Sequence, residues 1–316
     1  MAFPFKLVGN RLWQGLIVLL MVSALSFALL ATAGGDALTA LQQNPQVSEE
    51  TLNRLRQVYG FDQPLVVRYA RWLAGAARGQ LGDSIYYQRP VAEVIWPRWW
   101  RTFSVAALAF GLAGPLALWL GLTAAQHANR WPHRWLDRGC DAVVLLGAST
   151  PRLLLALAAL AWMTQATPHS ATSSSRTYAV WLSALVLSVP LFALLLAQTR
   201  ECLAAMQTQD HVRVARAKGL PERSVWFRHV LRPALNPLIS VFGFSLGGVL
   251  SGSAVVEQVL DSPGIGQLSV IAVQSRDVPL MLGVVLVAAT AVLLSNLLAD
   301  LLLRWNDPRL RDEEVR

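Results

Sequence analysis

The chain has 316 residues, of which 54% are hydrophobic and 15% charged, too apolar for an ordinary soluble domain and typical of a polytopic membrane protein. Its net charge is +8, yet the 27 cationic side chains include just two lysines, Lys6 and Lys218, and they collect between apolar runs instead of forming one face. That pattern argues for positive-inside topology and against nucleic-acid binding. The two cysteines, Cys140 and Cys202, lie too far apart in sequence, without further partners, to suggest a disulfide framework or a zinc site.

An apolar run of about 20 residues crosses the hydrocarbon core, and the runs 12–32, 102–124, 140–165, 178–198, 237–257 and 279–303 predict six transmembrane helices. The first follows Lys6 and Arg11 and could pass for a signal peptide. Its length and the poor cleavage site after Leu29 predict a retained helix with a cytoplasmic N-terminus. Arg130, Arg134 and Arg138 mark the second-to-third connection as cytoplasmic. Arg200, Arg213, Arg216, Lys218, Arg223, Arg228 and Arg232 do the same for the fourth-to-fifth. The opposite connections carry Arg176 and Arg276 alone, so both termini are expected in the cytoplasm. Segment 33–101 is long enough to be translocated largely regardless of its arginines and is expected outside. Within 49–72, the spacing of Leu52, Leu55, Val58 and Tyr59 predicts a helix, with Ser48 as N-cap and Gly60 as stop.

The fourth-to-fifth connection has its own grammar. In DHVRVARAKG, Asp210 is an N-cap candidate, Ala215 and Ala217 are small, and Gly219 stands at a natural C-cap position. Leu220 and Pro221 turn the chain. A second helical pattern follows, in which Val225, Phe227, Val230 and Leu231 mix with Arg228 and Arg232. Two short helices, roughly at right angles, are expected. A solvated basic loop is the plain reading, but Trp226 and Phe227 set among arginines have the composition of interface anchors.

DHVRVARAKGLPERSVWFRHVLRPALNPLI resembles the cytoplasmic coupling loop of ABC-importer permeases of the dipeptide, oligopeptide and nickel class. LRQVYGFDQPLVVRYARWL, GQLGDS, SVPLFALLLAQTR, VVEQVLDSPGIGQL, RDVPLMLG and NDPRLR match in order along most of the chain. The resemblance implies an all-α fold with an N-terminal helix and extracytoplasmic segment over 1–101, a five-helix core over 102–316, and a coupling loop at 199–236. It implies that Asp210, Arg213, Ala215, Arg216, Ala217, Lys218, Gly219, Leu220, Trp226 and Phe227 meet a separate ATPase. The general importer motif opens Glu-Ala-Ala, where this chain has Arg213, Val214 and Ala215; the basic version resembles the peptide subfamily. The loop ATPHSATSSSRT departs from the apolar Leu-Pro turn expected there. Implied partners are a second permease, two cytoplasmic ATPases that bind ATP and magnesium, and a periplasmic or surface-tethered binding protein, all at a bacterial inner membrane. The implied cargo is a peptide, with nickel or another small solute as the alternative.

Other motifs point elsewhere. Neither lysine has the context of a phosphate-binding Gly-Lys-Ser/Thr loop, so the chain is expected to hold no nucleotide or other cofactor. No cluster of His, Cys or Met suggests a metal. Residues 243–247 satisfy G-x-S-x-G and leave an intramembrane hydrolase using Ser245 as an alternative. However, no strand precedes the serine and no histidine follows His229. Gly243 with Gly247 and Gly248 with Gly252 read better as small-xxx-small packing pairs. Ser245, Gly247 and Ser251 become candidates for a pathway, as does Arg152, a charge near the middle of the third span beside Pro151 that could instead snorkel or find a structural partner. Asp141 and Asp300 lie toward span edges and read as anchors, which disfavours proton coupling. A scaffold that recruits a partner through 210–236 without transport is the remaining alternative.

Overall fold

A computed structural model describes residues 5–32, 50, 63–127, 134–166 and 173–307. Most of the helix expected over 49–72, the connection at 128–133, the centre of the third-to-fourth loop at 167–172 and the C-terminal arginines from 308 onward lie outside the described residues. The elements are α1 (Phe5–Thr32), α2 (Leu65–Ala76), β1 (Asp83–Ser84), β2 (Arg89–Pro90), α3 (Val91–His127), α4 (Arg134–Ser149) and α5 (Arg152–Ala166). There follow α6 (Ser173–Gln207), α7 (Asp210–Ala217), α8 (Glu222–Ser224), a π-helical turn (Val225–Leu231), α9 (Arg232–Val259), α10 (Ile265–Gln274) and α11 (Val278–Asn306).

Among the described residues, five stretches are long and apolar enough to cross a membrane: Val8–Leu30, Val91–Gln126, Tyr178–Gln207, Glu222–Val259 and Val278–Asn306. The third expected span is not one helix. Asp137–Ser149 and Arg152–Gln165 meet at 91°, and they make a sixth span if the bent pair is counted as one. Pro151 explains the break, because it has no N–H to extend α4 and disfavours helical backbone at Thr150. Thr150 closes α4 by donating both its N–H (3.0 Å) and its Oγ1 hydroxyl (2.6 Å) to the Leu146 carbonyl. Leu154 N–H then opens α5 on the Pro151 carbonyl at 3.0 Å.

The chain forms two compact units, 1–102 with 263–293, and 103–262 with 294–316. In the first, Val91, Val94, Ile95, Ile265, Leu268, Leu280 and Val284 form a buried core. A Cβ at Gly283 would lie 2.6 Å from Val91 Cγ1 and 3.0 Å from Ile95 Cδ1, so α11 approaches α3 closely here because Gly283 has no side chain. Tyr69 Oη and Ser23 Oγ share a 2.9 Å hydrogen bond that ties α2 to α1. The first N–H of α10, at Ile265, has no cap from its own neighbour Gly264 and donates to Thr102 Oγ1 at 2.8 Å.

In the second unit, Val105, Ala109, Ala113, Leu187, Leu196 and Val256 belong to the core. Its helix crossings use small residues, as close packing in lipid requires. A Cβ at Gly121 would meet Thr199 Cγ2 at 2.6 Å, and one at Gly147 or Gly243 would meet Ala193 or Ala299 at 2.7 Å. Arg200 of α6 binds Asp141 at 2.5 Å and Asp137 at 3.0 Å, so Asp141 is an anchor between α4 and α6.

Candidate functional site

Between α6 and α9 the chain folds a small basic knot. Gln209, with φ −69 and ψ 145, occupies the N-cap position without a side-chain cap bond, and Asp210 begins α7 as its first residue. The expected cap at Asp210 is therefore displaced by one residue. Its carboxylate stands 3.7 Å from Arg213 on the open surface, where such a pair adds little stability. The far end is sharply closed. Gly219 adopts φ +74, its N–H donates to Arg216 O at 2.9 Å, and Leu220 N–H donates to Ala215 O at 3.4 Å. This pair of reversed bonds around a left-handed residue stops a helix in place and favours glycine. Arg216 Nε donates to Glu222 Oε1 at 3.0 Å, bracing the turn.

The second short helix is not separate. Pro221 opens α8, which runs through the π-helical turn Val225–Leu231 directly into α9. A π turn adds a residue per turn and leaves carbonyls to be satisfied from outside the ladder. Pro233 has no N–H for the carbonyl of His229, four residues earlier, and His211 Nε2 of α7 lies 2.9 Å from that oxygen. A carbonyl only accepts, so Nε2 carries the proton. Asn306 Nδ2 donates to Arg232 O at 3.0 Å and to Asn236 Oδ1 at 2.7 Å. Asn236 Nδ2 donates to Asp307 Oδ2 at 3.0 Å, clasping the end of α11 to the start of α9.

The knot has its own core of Leu203, Val212, Ala215, Val225, Trp226, Val230 and Ala234. Trp226, expected as an exposed anchor, is 8% exposed and belongs to this core, as does Ala215. The π register puts Val225, Trp226 and Val230 on the inner side, whereas Phe227 is 51% exposed. Val214 and Leu220 also face outward, among Arg213, Ala217 and Lys218. The result is a rigid element that presents apolar side chains within a basic surface.

The family described as "Binding-protein-dependent transport system inner membrane component" matches residues 117–312. Its N-terminal companion, "Binding-prot-dependent transport system membrane comp, N-term", matches residues 5–106. The chain belongs to this family. A putative peptide transport system permease protein of Brucella abortus is 33% identical over 317 residues, covering 96% of this chain and 98% of the relative. The oligopeptide transport system permease protein AppB of Bacillus subtilis is 31% identical, covering 95% and 98%. The glutathione transport system permease protein GsiC of Shigella boydii is 32% identical, covering 96% and 98%.

The span residues of this inner membrane component separate by face. Ser245 is buried and donates its hydroxyl to Val241 O at 2.7 Å within its own helix. Gly247 is half-buried. Ser251 is exposed, on a stripe with Pro237, Ser240, Phe244, Gly248, Val255 and Gln258 that follows the helical period along α9. Arg152 begins α5 just past the bend, and its guanidinium lies over Gly252 of α9, where a Cβ would stand 2.5 Å from Nη1. Gly252 thus makes room for an arginine, not for a neighbouring helix.

Sequence reasoning passed over two buried carboxylates. Asp277 is 0% exposed; its Oδ2 accepts from Ser84 Oγ at 2.6 Å and Tyr86 N–H at 3.0 Å, and its Oδ1 caps α11 through Leu280 N–H at 3.1 Å. An aspartate just ahead of an apolar run is an N-cap signal that could have marked it, but the link to Ser84 spans 193 residues of sequence. Glu257, 1% exposed near the end of α9, carries no comparable local signal.

Proposed function

We propose that this chain is one permease half of an ATP-binding-cassette importer that moves peptides across a bacterial inner membrane, with both termini in the cytoplasm. A second permease would complete the pathway, two cytoplasmic ATPases would bind ATP and magnesium, and a periplasmic or surface-tethered protein would deliver cargo. Residues 1–101 form the N-terminal helix and extracytoplasmic segment of this reading, and 102–316 form the permease core.

The observation that carries it is the knot at 199–236. Its inner core makes it a single lever, and its outer side offers Val214, Leu220 and Phe227 amid Arg213, Arg216 and Lys218, the mixture of apolar anchor and arginine found at protein interfaces. Ala215 and Trp226 act within the lever, while Gly219 fixes where α7 ends. Because α8, the π turn and α9 are continuous, a push on the knot moves the span with it as a rigid body. Ser251 and the exposed stripe of α9, which mixes small, polar and apolar residues, line the pathway or meet the second permease. Arg152 supplies positive charge beside α9. The cargo class rests on the relatives named for peptide and oligopeptide transport.

The test is co-purification from native membranes with a tagged C-terminus, comparing the wild type with Gly219→Pro. The reading expects two ATPases and a second permease with the wild type, loss of the ATPases with the variant, and uptake of labelled short peptides that stops with it. A chain that comes alone, or an unaltered ATPase complement in the variant, overturns the role of the knot.

A further inference from the structure

We infer that a cavity at the start of α3 holds the phosphodiester headgroup of an anionic membrane lipid. The cavity has a volume of about 360 Å³ and is lined by Tyr87, Arg89, Glu93, Val94, Pro97, Arg98, Arg101 and Pro263. Three arginines face one glutamate, and Glu93 already pairs with Arg89 at 3.5 Å on the open side. Arg98 is held in place: Nη1 donates to Val94 O at 3.1 Å, Nη2 donates to Tyr87 Oη at 3.0 Å, and the guanidinium lies 4.8 Å from the centre of the Tyr87 ring. Its Nε–H is buried with no acceptor among the described residues. Arg101, one helical turn further on, has no hydrogen-bond or ion-pair partner among the described residues. The site is therefore rich in fixed donors and short of an acceptor, which is the complement of an anion.

The position says which anion. Within α3 the apolar run 102–124 begins immediately after Arg101, which puts the cavity at the level where the chain passes from water into hydrocarbon. Trp96 and Trp100 are 61% and 50% exposed and stack edge to face at 5.6 Å, presenting large amphipathic surface at that level. Exposed indoles at the mouth of a span favour the headgroup region, and arginines there meet lipid phosphates. A peptide carboxylate or an acidic loop of a binding protein could satisfy the charge, but neither gives a reason for the exposed tryptophans.

The test uses the full transporter complex, extracted with its partners and reconstituted in bilayers of phosphatidylglycerol and phosphatidylcholine. Lipid retained after delipidation is counted by native mass spectrometry. The wild type should retain phosphatidylglycerol well above its bulk ratio. Arg98→Gln with Arg101→Gln should lower that enrichment about thirtyfold, since each arginine near a membrane surface contributes about fivefold. Arg78→Gln should leave it unchanged. Arg98→Lys with Arg101→Lys keeps the charge and should lose less than the glutamine pair. No enrichment in the wild type, or the same enrichment in the glutamine pair, overturns the assignment. So does displacement of the retained lipid by millimolar inorganic phosphate at constant ionic strength, which would identify a free-anion site. A change in peptide uptake with lipid retention intact would assign the arginines to cargo instead.

Discussion

The inner core of the knot before α9 is held by apolar packing, whereas the turn joined to the start of α11 is held by one carboxylate. Leu203, Val212, Val225, Trp226 and Val230 pack by shape and area, and such contacts degrade gradually as atoms are removed. Asp277, fully buried like its partner Ser84, accepts three directed hydrogen bonds, and these leave donors stranded when the acceptor is lost. The apolar core of the knot is suited to moving as a body, because packing by shape and area tolerates small rearrangements. The polar turn is suited to fixing one geometry.

Substitutions that preserve shape but change chemistry separate the two most sharply. Asp277→Asn should destabilise the protein by about 3 kcal/mol, because an amide cannot accept at both oxygens and leaves a buried donor facing a donor. Trp226→Phe, in contrast, should cost about 1 kcal/mol, the range for a partial loss of volume in an apolar core, with Trp226→Ala rising to about 3–5 kcal/mol. Thermal unfolding of the purified protein in detergent measures all three, and an equal response to the two mild changes would erase the distinction. Within the knot, Phe227→Ala should leave unfolding within about 0.5 kcal/mol of the wild type yet weaken ATPase association about tenfold or more, as expected of an exposed anchor. Quantitative co-purification reads this, and stable binding would transfer the anchoring role to Val214 or Leu220.

Gly219→Ala isolates the backbone. No atom lies within 4 Å of the added Cβ, so the cost comes from φ +74 alone and should be about 1 kcal/mol. A smaller effect would mean that α7 ends without that closure. Arg213→Gln should have the smallest effect on unfolding, below about 0.5 kcal/mol, because its pairing with Asp210 is exposed.

Periodicity and punctuation carried much of this in advance. The apolar runs located the long helices because length and hydropathy are local properties. Gly219 was legible as a stop because a left-handed closure is written in a few adjacent residues. Trp226 was misplaced because an aromatic among arginines has the composition of an interface anchor, while packing with Leu203, Val212 and Val230 buries it. Ser245 and Gly252 looked alike as small residues in one span. Only the neighbouring α5 distinguishes them, since Arg152 lies over one, and the other bonds back to Val241.

The sequence by itself determined that the chain spans a membrane, where its helices run, and that a basic, capped helix interrupts the spans, since these depend on the chemistry of adjacent residues in a known solvent. The tertiary structure decided which face of α9 is open, that α4 and α5 meet at 91°, and that Asp277 gathers donors from a turn 193 residues away. Those outcomes turn on pairs of residues far apart in sequence, whose distances exist only once the helices have packed.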